Sequence, residues 1–87
     1  MGPDVESGCL VTDAYVLIQT QVGKAAKVAA SVQAVPGVSE AASVVGPYDV
    51  VARAQAEDMD KLARLVASQV RALDGVMRTI TCTVVRL

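Results

Sequence analysis

Two short segments of the chain echo each other. Ala34-Val35-Pro36-Gly37-Val38 corresponds to Ala72-Leu73-Asp74-Gly75-Val76, and each closes a strand-then-helix stretch. In both, glycine supplies the reversal that ends a helix and delivers the chain into a new strand. Two such units joined through a hairpin leave few packings. Their strands must share one antiparallel sheet, with both helices on the same face.

The elements follow from periodicity. An uncharged, β-branched run, AYVLIQT (14–20), reads as the first strand, and Val22-Gly23-Lys24 turns it into a helix over 24–35. There Ala25, Val28, Ala29, Val32 and Val35 recur at spacings of three and four. Pro36-Gly37 ends that helix. Strands are expected at 38–45 and 49–56, and Asp58 is placed to cap a second helix running to Leu73. Its apolar face is Met59, Leu62, Val66, Val70 and Leu73, and the last strand spans 76–87. The expected class is α+β, a ferredoxin-like βαββαβ domain over 13–87 behind a loose acidic tail, 1–12.

Such a sheet has a second face, and solvent would require charge on it. The first strand offers none: Ala14, Val16 and Ile18 alternate with Tyr15, Leu17 and Gln19. The last strand alternates Val76, Arg78, Ile80, Cys82 and Val84 with Met77, Thr79, Thr81, Thr83 and Val85. We expect Tyr15, Leu17, Thr79 and Thr81 to share a face covered by a second copy of the chain. Composition agrees: 87 residues, 53% apolar but without Phe or Trp, have little bulk with which to build a core.

Several functions are poorly supplied. There is no histidine for proton transfer near neutral pH, and Cys9 and Cys82 match no metal or redox spacing. No cofactor, metal site or catalytic residue is expected. A net charge of −1 with both signs scattered gives no basic surface for phosphate backbones or anionic membranes. The third strand has no aromatic on which to stack a base. No apolar run is long enough to cross a bilayer and no secretory signal opens the chain, so a cytoplasmic protein is expected.

The chemistry then rests on VGPYDV (45–50). As a hairpin, it would have Pro47 fix one backbone angle while Asp49 bonds nearby amides. As a site, it offers a carboxylate for an ammonium group, backbone N–H groups for a carboxylate, and an aromatic wall. The residues alone leave both readings open.

Four stretches together carry a family resemblance: AYVLIQTQVGK, AVPGV, VVGPYDVVARA and LDGVMRTITCTVV. From Ala14 to Val85 the sequence resembles the effector-binding (RAM) domain of the Lrp/AsnC regulators. The resemblance implies a dimer formed through the sheets, assembly into octamers or other higher oligomers, and an amino acid or related metabolite bound between subunits. It assigns effector binding to Gly46, Pro47, Tyr48 and Asp49, with Thr79 and Thr81 contributed by a neighbouring chain. Most members carry a DNA-binding domain ahead of this module, and the acidic tail does not resemble one. The expectation is a stand-alone sensor without DNA binding of its own, with full-length Lrp/AsnC regulators as further partners. Rival readings are an ACT-like regulatory domain with its site at Gly23, a small dimeric α+β-barrel enzyme, and a scaffold in which VGPYDV is only a turn.

Overall fold

A computed structural model describes residues 12–85. Strand β1 (Thr12–Thr20) leads through helix α1 (Ala25–Gln33) to β2 (Val38–Ser43) and β3 (Val50–Ala56). Helix α2 (Met59–Leu65) follows and runs into a wide π-helical turn, Val66–Val70, before β4 (Val76–Thr83). The strands form one antiparallel sheet in the order β2-β3-β1-β4. This is the expected ferredoxin-like βαββαβ arrangement. Of the expected tail, residues 1–11, including Cys9, lie outside the described residues, whereas Thr12 already pairs with Ala56 in β1.

The core is small and aliphatic. Ala14, Val16 and Ile18 of β1 meet Val50, Ala52 and Ala54 of β3 beneath Val28, Val32, Leu62, Val66 and Val70. Both tyrosines stay out of it. Asp58 caps α2 as expected, its side chain accepting the Lys61 N–H at 2.8 Å. The expected α-helix to Leu73 instead gives way to the wide turn after Leu65. The cause is spacing: Leu62, Val66 and Val70 repeat every four residues, and an α-helix of 3.6 residues per turn would rotate them progressively off the core. Arg71 donates its N–H to the Val66 carbonyl, five residues back, at 2.9 Å, and this wider turn keeps all three buried.

The echoed segments are structurally equivalent. Gly37 and Gly75 adopt φ of 97° and 96°, and each carbonyl accepts from a residue at a strand end. Those donors are Gln55 (2.8 Å) and Gln21 (2.9 Å). The equivalence extends one step further. Directly after Gly-Val, each unit carries an extra residue in its strand. Ser39 is skipped between the pairs Val38↔Ala54 and Glu40↔Arg53. Met77 is skipped between Thr20↔Val76 and Gln19↔Arg78. A bulge shifts strand parity, so every later side chain changes face.

That shift corrects the expected dimer face. Beyond Met77, Thr79 lies opposite Ile18 and Thr81 opposite Val16, so both threonines are on the helix side. Tyr15 and Leu17 instead share the opposite face, uncovered among the described residues, with Cys82 and Ile80. Across all four strands this face presents Ala42, Val51, Leu17 and Ile80 in one apolar row. Beside it runs Glu40, Arg53, Tyr15 and Cys82. Arg53 lies over the Tyr15 ring, 5.8 Å from its centroid, and 3.7 Å from the carboxylate of buried Asp13. The edge of β2 is occupied by Gln33 of α1, whose side chain accepts the Ala41 N–H at 2.8 Å.

Three outcomes follow from the turns. A Cβ on Gly75 would meet Val28 at 3.0 Å and Lys24 at 3.1 Å in a backbone conformation unfavourable for other residues. Gly75→Ala should therefore cost about 1–3 kcal/mol of unfolding free energy in denaturant titration. Gly46→Ala, with open space around it and no positive φ, should cost little. Asp74, bonded to Lys24 at 3.1 Å and near Lys27, has its pKa lowered by the Lys24 hydrogen bond and by both charges. A lowered folded pKa stabilises the fold above the ordinary aspartate value of about 3.9 and is lost as pH falls through the folded value. Asp74→Asn should thus lower Tm slightly at neutral pH, and the difference from wild type should vanish in strong acid.

Candidate functional site

The β2–β3 connection is tied down at its base and open at its tip. Val44 donates to the Asp49 carbonyl and Asp49 donates to the Ile18 carbonyl, both at 2.9 Å. The Asp49 carboxylate also takes part: its Oδ2 accepts the Thr20 N–H at 2.8 Å, in a partly buried position. Asp49 therefore anchors the loop to the end of β1. Its Oδ1 has no hydrogen bond among the described residues. Beyond this anchor Val45, Gly46 and Pro47 are exposed, while Tyr48 is half-buried. Among the described residues, nothing other than its own chain neighbours comes within 4 Å of where a Gly46 Cβ would stand. Neither its backbone angle nor crowding within the chain calls for glycine there.

The structure sets the expected effector loop apart from the expected threonines. Gly46, Pro47, Tyr48 and Asp49 line neither of the two hollows described below. Ile18 takes the Asp49 N–H from one side and pairs with Thr79 on the other, so β1 separates the loop from the threonines. A site using both sets would draw them from different chains.

One hollow of about 270 Å³ lies on the uncovered sheet face, between Tyr15, Glu40, Ala42, Val44, Val51 and Arg53. A second, of about 250 Å³, lies between the second helical segment and β4. Its helical wall is Met59, Leu62, Ala63, Val66 and Ala67, with Arg71 at the π-helical turn. Its strand wall is Thr79, Thr81 and Thr83. Thr83 Oγ1 donates to the Met59 sulfur at 3.3 Å. Sequence reasoning missed Arg71 because the groove exists only after the bulge turns the threonines toward the helix. The sequence repeats Gly-Val at both places, but the bulge that follows each is a property of strand register and left no local signal.

Comparison with known proteins bears on the whole domain. The family described as the Lrp/AsnC ligand binding domain matches residues 13–87. Among curated proteins none matches. The chain is similar to TTHA0845 from Thermus thermophilus, with 33% identity and a TM-score of 0.81 over 87% of this chain and 95% of that one. It also aligns with E. coli AsnC at 19% identity and a TM-score of 0.83, covering 100% of this chain and 60% of AsnC. A third similar structure is the transcriptional regulator NMB0573 of Neisseria meningitidis, solved as a complex with L-methionine. There identity is 21% and the TM-score 0.80, over 99% of this chain and 59% of the regulator. At these lower identities the likeness concerns the fold. The family match nearly spans the sequence and the fold agrees with it; the chain belongs to the Lrp/AsnC ligand binding domain family.

Proposed function

We propose that the domain senses a small effector, an amino acid or related metabolite, at contacts between copies of itself. It acts in the cytoplasm through the assembly it forms, without catalysis and without touching DNA. The observation that carries this reading is the loop from Val44 to Asp49. It is anchored at both ends, yet its exposed tip lines neither of the two hollows described above. A site built on Gly46, Pro47, Tyr48 and Asp49 is completed by a second subunit. The open approach to Gly46 suits close contact with a ligand or a neighbouring backbone. Asp49 Oδ1 can receive an ammonium group, and the loop's N–H groups suit a carboxylate. The similar regulator solved with L-methionine supports the ligand class. Full-length Lrp/AsnC regulators are suitable further partners, since their ligand-binding portions share this fold.

Self-association follows from the uncovered face. Ala42, Val51, Leu17 and Ile80 form an apolar row that no element among the described residues covers, with Ile80 38% exposed. A second copy placed face to face would bury it, and such dimers would bring loops and β4 strands of different chains together as octamers or larger rings form. Thr79 and Thr81, on the other side of the sheet, belong to the effector assignment and not to this contact.

Sedimentation at micromolar concentration should show a dimer or larger species, never the 9.0 kDa monomer. Leu17→Lys should abolish assembly, because its charge would be buried without a partner. An unchanged assembly would remove this face from the interface. A thermal-shift screen of the twenty amino acids should find at least one that stabilises the protein, by ~2.7 kcal/mol at 100 times its Kd. With that ligand, Asp49→Asn and Asp49→Ala separate fold from binding. Asparagine retains an acceptor for Thr20 and should leave stability nearly intact, whereas alanine should lower it by about 1–2 kcal/mol. Both should weaken binding roughly ten-fold or more. Full affinity in Asp49→Asn would reduce the loop to a turn.

A further inference from the structure

We infer that the groove between the second helical segment and β4 binds a small carboxylate with an apolar tail, and that Arg71 receives the carboxylate. Charge pairing points to this residue. Lys24, Lys27, Arg53, Lys61 and Arg64 each have an acidic partner among the described residues. Arg71 and Arg78 do not, and of the two hollows described above Arg71 lines one and Arg78 neither. Arg71 is exposed at the rim of the groove, and a guanidinium offers paired N–H donors whose geometry matches a carboxylate.

The remaining walls set the rest of the ligand. Leu62 and Val66 close the inner side, and Ala63 and Ala67 leave room where longer side chains would fill it. Across from them stand the Thr79 and Thr81 hydroxyls, able to donate to a carboxylate oxygen or accept from an ammonium group. At about 250 Å³ the groove falls just below the roughly 300–1,000 Å³ typical of drug-sized ligands, which suits a metabolite of amino-acid size. The π-helical turn belongs to the design. The same widening that keeps Val66 and Val70 buried presents Ala67 and Arg71, also four residues apart, along one wall. The inference rests on the effector-sensing reading for the ligand being an amino acid, and on the groove alone for its carboxylate and tail.

The test uses the 87-residue chain, labelled with nitrogen-15 and titrated separately with 4-methylpentanoate and with the uncharged 4-methyl-1-pentanol. The acid should produce saturable shifts at the amides of Ala67, Arg71, Thr79 and Thr81, and the alcohol should bind far more weakly. Arg71→Gln should weaken binding of the acid roughly ten-fold, the loss of one charge-assisted contact, while the rest of its spectrum stays in place. Equal binding of acid and alcohol, undiminished affinity in Arg71→Gln, or no saturable shift in the groove at millimolar acid would each overturn the inference. Titration with L-methionine separates it from the sensor reading. Shifts confined to the 46–49 loop, with the groove silent to both probes, would sink the Arg71 site and leave the sensor intact. Arg71-dependent binding of the acid, with no amino acid bound anywhere, would sustain the site and remove the sensor reading.

Discussion

The single extra residue after each Gly-Val turn decides what the two faces of this sheet present. Val76 enters β4 pointing toward the helices, and without Met77 in the bulge strict alternation would keep Arg78, Ile80 and Cys82 on that side. Arg78 would then press on the aliphatic layer and its charge would lack solvent, a cost of several kcal/mol. The bulge exchanges the sets. Ile80 and Cys82 join Leu17 and Tyr15 on the outer face, and Thr79, Thr81 and Thr83 turn toward the second helical segment. Both the apolar row on the outer face and the threonine wall of the groove depend on this one step in register.

The core beneath explains why the outer face matters. It is built from valine, alanine and single isoleucine and leucine side chains, with no aromatic among its buried members. Fully burying a residue of this kind is worth about 1.5–3 kcal/mol, and a chain this short has few to bury. The wide turn at Val66–Val70 is part of the same economy of bulk. It keeps each available valine inside, and in doing so sets Arg71 at the groove. Stability and site geometry are therefore coupled in the second helical segment.

Much of this was legible in the sequence, for identifiable reasons. Spacings of three and four in 24–35, the Asp58 cap and the glycines at 37 and 75 located the elements, because each reflects local backbone chemistry. The face assignment of Thr79 and Thr81 was not legible. Alternation within a strand shows which residues belong together, but which set faces the core depends on the register against β1, a nonlocal property. The groove escaped notice for the same reason, since its two walls come from Met59–Arg71 and Thr79–Thr83 and meet only through the sheet. Asp49 was half legible: its type and place suggested a bond to nearby amides, and the amide proved to be that of Thr20 on the adjoining strand.

The glycines separate the requirements of the fold from those of a site. At Gly37 and Gly75 the chain itself demands glycine: φ is positive, and a Cβ would meet Leu65 at 3.1 Å or Val28 at 3.0 Å. Gly46 has neither constraint, although it sits in the loop whose base Asp49 fixes so firmly to β1. A loop with a rigid base and a bare tip costs little further entropy when a ligand or a second subunit closes on it, because the strand ends are already held. Close approach to Gly46 from outside the chain, by a ligand or a second subunit, is the use we propose for its missing side chain. On that proposal the reason for the glycine lies in the assembled state and not in the single folded chain.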